Sequence, residues 1–265
     1  MINLHPLYSS SSGNTFHIET PKSNILIDVG VSYKAITTGL ASINKEISDI
    51  SAVIITHEHS DHIAGISQLC KKNNIPIFAC GKTANYLQNL LNEKNIKNDI
   101  YEINYGKPFK IDDVEITSFE TSHDAIMPCG YRIKNENSIL TYSTDLGYVS
   151  DEVFENLQNS DYIILEANYD ESMLDFGKYP YYLKRRIKGK LGHLSNVDCA
   201  NTNVKLKNQD SKAKFILAHM SENNNNLALA KSTIDSILLE NNIDLNGIEI
   251  NFASKKLSNE VYTIC

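Results

Sequence analysis

The continuously apolar run Ala52-Val53-Ile54-Ile55 stops at Thr56, and the next six residues are His57-Glu58-His59-Ser60-Asp61-His62. A short β-branched apolar run of this kind reads as a strand buried on both faces. Three imidazoles and a carboxylate therefore emerge together at a strand end, just before the helical spacing of Ile63, Ile66, Leu69 and Cys70 begins. With 8 His in 265 residues, the pattern His-x-His-x-Asp-His arises by chance in about four of ten thousand such chains. The alternation of side chains puts His57 and His59 on one side, where they can share an ion, while Asp61 and His62 turn into the helix and can face a second. Neutral imidazole and carboxylate suit Zn, Mn or Fe, and the lack of thiolates argues against a closed structural zinc site.

Four ligands cannot saturate two ions, so others are expected at further strand ends. The strands Val114 to Phe119, Ser138 to Tyr142 and Phe215 to Ala218 are followed by His123, Asp145 and His219, respectively. Taken singly, each has a bland reading, as a surface or core His or as a turn-forming Asp before Gly. Their shared placement points to a ligand site, because such sites gather at strand ends in open α/β folds.

The rest of the chain repeats a strand-then-helix rhythm. Strands are expected at Thr15 to Ile18, Asn24 to Asp28, Ile75 to Ala79, Tyr131 to Ile133, Tyr162 to Glu166, Ile248 to Phe252 and Val261 to Ile264. Helices are expected at Tyr33 to Ile43, Thr83 to Glu93, Asp151 to Leu157, Asn196 to Lys207 and Leu227 to Glu240. Two groups of strands, each with helices, predict an α/β (α+β) chain arranged as a four-layer αββα sandwich of two similar halves. No linker rich in Pro, Gly or Ser interrupts it, so one domain over 1–265 is expected.

The net charge of −7 makes the average surface repel nucleic acid. One segment opposes that field: Lys184, Arg185, Arg186, Lys188 and Lys190, preceded by Tyr179, Tyr181 and Tyr182. Phosphates bind such patches and bases stack on such rings; the plainer reading is a solvated basic helix face. His193, in Gly192-His193-Leu194-Ser195-Asn196, adjoins it outside the seven ligand candidates and is available as a proton donor. No apolar run reaches membrane-spanning length, and the five scattered cysteines (Cys70, Cys80, Cys129, Cys199, Cys265) fit free thiols in a reducing compartment. A soluble cytoplasmic protein is the expectation.

In order, His57, His59, Asp61, His62, His123, Asp145 and His219 resemble the metal-binding pattern of the metallo-β-lactamase-fold superfamily over nearly the whole chain. The resemblance implies that His57, His59 and His123 hold one divalent ion, that Asp61, His62 and His219 hold another, and that Asp145 bridges them. Leu26-Ile27-Asp28-Val29-Gly30 is similar to the strand supporting the metal loop, with Asp28 beside the ligands. Phosphodiesterase branches carry an acidic residue at a strand end and a His before a helix, which Glu166 and His193 match. The likeness narrows to the YycJ/WalJ (VicX) family of metal-dependent exonucleases through Ser9-Ser10-Ser11-Ser12-Gly13-Asn14, Tyr179-Pro180, Arg186-Ile187, Gly192 to Asn196 and His219-Met220-Ser221-Glu222-Asn223-Asn224. Ser10 and Met220 stand where that family often has Gly and Leu.

What the resemblance implies is a 5′-to-3′ exonuclease on double-stranded DNA, linked to DNA repair, using two Mn2+ or Zn2+ ions and the hydroxide that two ions sharing a carboxylate can hold at neutral pH. Asp61, His193 and Glu166 would carry catalysis. Ser11, Ser12, Asn14, Arg185, Arg186, Lys188, Ser195, Asn196, Ser221 and Asn223 are the candidate substrate contacts. Fold alone does not choose the substrate, so an RNA-processing nuclease and a thioester or cyclic phosphodiester hydrolase remain alternatives, with a non-catalytic metal-binding regulatory module the remotest.

Overall fold

The computed structural model describes residues 1–264; Cys265 lies outside them. The first sheet contains β1 (Ile2–Ser10), β2 (Gly13–Glu19), β3 (Asn24–Ile27), β4 (Ala52–Ile55), β5 (Ile77–Cys80) and β6 (Ile100–Ile103), in spatial sequence. The second is built from β7 (Phe109–Ile111), β8 (Val114–Glu120), β9 (Cys129–Asn135), β10 (Ser138–Ser143), β11 (Tyr162–Glu166), β12 (Lys214–Ala218) and β13 (Ile250–Phe252), also in sequence. Each sheet begins antiparallel and continues parallel, from β3 in the first and from β10 in the second. The expected similarity of the two halves is therefore visible in their topology.

Alternation along the strands explains the four layers. In β4, Ala52 and Ile54 face the core between the sheets, while Val53 and Ile55 face the helices. In β11, Ile164 joins the central core, and Ile163 and Leu165 meet the outer helices of the other half. All of these side chains are fully buried. Burial of each aliphatic side chain favours folding by about 1.5–3 kcal/mol, so an apolar residue at every position of these strands serves one layer or the other.

The helices are α1 (Tyr33–Ser42), α2 (Ser60–Ile63), α3 (Ile66–Lys72), α4 (Gly81–Glu93), α5 (Asp151–Leu157), α6 (Glu171–Phe176), α7 (Tyr181–Ile187), α8 (Asn196–Lys207) and α9 (Leu227–Glu240). The helical spacing from Ile63 to Cys70 is divided between α2 and α3. Gly65 sits at the join because any Cβ there would lie 2.4 Å from the Val31 carbonyl oxygen.

The assignment of strands to two separate sequence groups needs one correction. The last strand, β14 (Tyr262–Ile264), crosses back and pairs antiparallel with β1, Ile264 opposite Ile2. β1 itself was not expected, since Pro6 interrupts its pattern; the register shifts between Pro6 and Tyr8 and the strand continues. The four described cysteines are free and buried, as anticipated.

Candidate metal centre

Strand ends from both sheets converge on one face. Asp28 follows β3, His57 follows β4, Asp145 follows β10, Glu166 ends β11 and His219 follows β12. Asp28, Asp145 and His219 have φ of 59°, 59° and 55°, a left-handed conformation uncommon for residues other than Gly. Here it ends each strand abruptly. The metal loop is then seated against the β3 loop, where a Cβ on Gly30 would lie 1.7 Å from the Asp61 carbonyl oxygen.

All seven expected ligands come together. Donor atoms of His57, His59 and His123 lie within 4.8 Å of one another, as do those of Asp61, His62 and His219, and those of His57, His62 and Asp145. Asp145 is thus common ground: its Oδ2 is 3.4 Å from His62 Nε2 and its Oδ1 is 3.7 Å from His123 Nε2. The donors also fit divalent cations chemically. His57 Nε2 and Asp145 Oδ2 are buried without any hydrogen-bond partner, which is costly for groups that have no other purpose.

In His62, His123 and His219 the nitrogen turned away from the cluster is anchored, which sets the orientation of the other. His62 Nδ1 lies 2.7 Å from Asp28 Oδ2, and Asp28 also accepts from the Thr56 backbone N–H and hydroxyl. His123 Nδ1 lies 3.0 Å from the Gly192 carbonyl oxygen. His219 Nδ1 lies 2.7 Å from Glu166 Oε1, and Asn168 donates to the His219 carbonyl at 2.7 Å. Asp28 therefore stands beside the ligands, as expected.

Electrostatics agree with a cation site. Burial alone would push His219 down, but Asp145, Asp61 and Glu166 overcome it and raise its pKa to about 10. Burial opposes charge on His62 too, and Asp145 and Asp28 raise it well above the ordinary histidine value. For His57, burial and the neighbouring imidazoles act together to lower it. Glu166 is fully buried, which favours its neutral form, yet His193 and His219 hold it well below the usual carboxylate range. Clustered buried carboxylates attract positive charge, by protons or by metal.

His193 borders the cluster: donor atoms of Asp145, Glu166, His193 and His219 also lie within 4.8 Å of one another. Its Nδ1 lies 2.8 Å from Glu166 Oε1, while Glu166 Oε2 accepts the backbone N–H groups of Leu146 and Leu194 at 2.9 and 3.1 Å. Glu166 thus has four donors around two oxygens and can do little but orient its partners.

The expected substrate contacts divide. Ser11, Arg186 and Ser221 line a cavity of about 180 Å³ with Asp61, Asp145, His193 and His219. Arg186 is held there by a two-pronged pair with Asp124, Nη2 to Oδ1 at 2.9 Å. Asn223 reaches the wall indirectly by donating to the hydroxyl of Tyr179 at 3.1 Å. Ser12 is exposed and donates to Glu222.

Asn14 is fully buried and holds the metal loop, its Nδ2 3.4 Å from the Asp61 carbonyl and 3.3 Å from His62 Nε2. Ser195 is buried and caps α8 through the Asp198 N–H, and Asn196 is buried in reciprocal bonds with Asn225. These three serve the frame, since their polar groups face protein atoms. Arg185 lies by the Tyr181 ring and Lys188 pairs with Asp175, both on the exposed side of α7. Asp124 was missed; its signal was an acidic residue directly after a ligand histidine.

An open cluster of imidazoles and carboxylates, set where two facing sheets end within an αββα sandwich, defines a metal-dependent hydrolase. Residues 23–220 match the family described as the beta-lactamase superfamily domain. The structure is similar to the metallo-beta-lactamase fold protein YhfI from Bacillus subtilis, with a TM-score of 0.74 at 16% identity over 98% of both chains. Exodeoxyribonuclease WalJ of Streptococcus pneumoniae is 39% identical over 249 residues, 93% of this chain and 90% of the relative. Exodeoxyribonuclease YycJ of Bacillus anthracis is 34% identical over 259 residues, 96% of each. The chain belongs to the metallo-β-lactamase superfamily and, within it, to the WalJ/YycJ exodeoxyribonuclease family.

Proposed function

We propose that this chain is a metal-dependent 5′-to-3′ exonuclease on double-stranded DNA, acting as one domain over 1–265 in the cytoplasm and serving DNA repair. The observation that carries phosphodiester chemistry is the His193–Glu166 pair, 2.8 Å apart, with His193 on the wall of the cavity that Arg186 also lines and Glu166 buried behind it. Family membership favours DNA over RNA, and the nitrogen and oxygen donor set favours Mn2+ or Zn2+. The return of β14 to pair with β1 supports a single unit, and the buried free thiols support a reducing compartment. No described helix is long and apolar enough to cross a membrane.

His57, His59 and His123 would hold one ion and Asp61, His62 and His219 the other, with Asp145 between them. Bound ions there supply an activated water nucleophile and positive charge opposite the attacked phosphate. Arg186, kept in place by Asp124, binds a phosphate oxygen. Ionised Glu166 accepts the Nδ1–H of His193 and supports the doubly protonated ring, whose Nε2–H passes to the departing oxygen and leaves the ring neutral with its proton on Nδ1.

The test is nucleotide release from linear double-stranded DNA bearing a 5′-phosphate or a 5′-hydroxyl, with Mn2+ or Zn2+ added and Asp61→Ala as control. Metal-dependent release from 5′ ends, absent in the variant, is the expected result. No release by protein carrying two ions would move the assignment to RNA or a small ester.

A further inference from the structure

Helices α6 and α7 form an arm with a small core of its own, in which Tyr179 and Leu183 pack against Tyr169, Leu174 and Ile187. The arm is braced by Lys188 on Asp175, by Lys184 on the Asp175 carbonyl, and by Asn223 on Tyr179. Phe176 stays 92% exposed, and Tyr181 and Tyr182 are each 75% exposed. Such rings on a braced frame lose apolar burial that a modest repacking would recover.

Charge identifies what covers them. Residues 176–190 carry six cations and no anion, in a chain whose net charge is −7. Tyr182 stands one helical turn before Arg186, on the same side of α7, and Arg186 lines the cavity. That cavity, about 180 Å³, is smaller than the roughly 300–1,000 Å³ that enclose whole ligands. It admits a phosphate with part of its sugar, so a paired duplex end has to open before its terminal linkage can enter.

Resting on the exonuclease reading, we propose that Phe176 and Tyr182 form a stacking platform for unpaired bases at an opened duplex end, with the arm's cations tracking the backbone. Stacking on these rings offsets the loss of pairing and stacking within the duplex. The occupant is single-stranded DNA, and the platform decides whether a closed end can be used.

The experiment compares the metal-loaded wild type with Phe176→Ala/Tyr182→Ala, whose exposed positions leave the core untouched. Anisotropy with a short labelled single-stranded oligodeoxynucleotide of uncleavable linkages should show binding weakened roughly fivefold or more per ring. The ratio of nucleotide release from blunt ends to release from ends opened by mismatches should fall by about fivefold or more. Unchanged binding, or equal loss on both kinds of end, would overturn the proposal. So would wild-type self-association that the substitutions abolish, since the rings would then belong to an interface between copies. Ring-dependent binding without release from any DNA would instead sink the exonuclease reading and leave the platform standing.

Discussion

Nδ1 of His193 and Oε1 of Glu166 are 2.8 Å apart, and that carboxylate oxygen also anchors the ligand His219 at 2.7 Å. One buried carboxylate thereby orients together His193 and His219, the groups proposed as proton donor and metal ligand. His193→Ala should leave both ions bound and lower the rate of DNA hydrolysis by about 10²–10⁴-fold, the usual worth of a positioned acid. Glu166→Ala should lower both the rate and the metal content. Elemental analysis beside kinetics separates the two; full activity in metal-replete His193→Ala would remove that residue from the mechanism.

Asp28 is fully buried, and it holds the wholly buried ring of His62 at 2.7 Å. Asp28→Asn should weaken metal affinity by about 10–100-fold, the common effect of losing a ligand's anchoring partner. Competition with a chromophoric chelator measures it. An unchanged affinity would show that Thr56 and the loop backbone hold His62 unaided.

Arg186 and Asp124 form a two-pronged pair at the cavity. Arg186→Ala should weaken DNA binding uniformly across sequences and reduce the salt dependence by about one phosphate contact. Reversing charge at Arg185, Arg186 and Lys188 together should harm DNA turnover far more than hydrolysis of a small chromogenic phosphodiester. Equal losses on both substrates would demote the basic segment to a solvated helix face.

The first sheet carries a pH-sensitive element in β2, outside the metal loop. His17 is buried beside His5, donates from Nε2 to Asn24 Oδ1 and has no partner at Nδ1, and burial with the charge of His5 lowers its pKa to about 4. Above the unfolded value of about 6.5, the ring is neutral in both states and stability is fully present. Below it, the unfolded chain takes up a proton that the folded chain refuses until about pH 4. Stability is lost through that window, about 2 kcal/mol between pH 7 and pH 5 from this residue. Urea unfolding of wild type and His17→Gln in chelator should diverge in pH dependence over that range; parallel curves would exclude His17 as the source.

The local pattern was legible in the sequence. A β-branched run ending on His57 to His62 declares a buried strand and a metal loop, because strand burial and ligand spacing are both short-range properties. That His123, Asp145 and His219 gather beside it was readable for the same reason, as each follows an apolar strand. Contacts between distant segments were not legible. Pro6 concealed β1, and nothing near Tyr262 to Ile264 announces pairing with the opening strand. Ser195, Asn196 and Asn14 look like substrate contacts in the chain but face protein atoms in the fold. Conversely, Asp124 acquires meaning only when α7 brings Arg186 to it across 62 positions. Residue types and spacing determined which groups could hold metal; tertiary packing decided which polar groups were left free to meet substrate, since that depends on the partners burial brings to each.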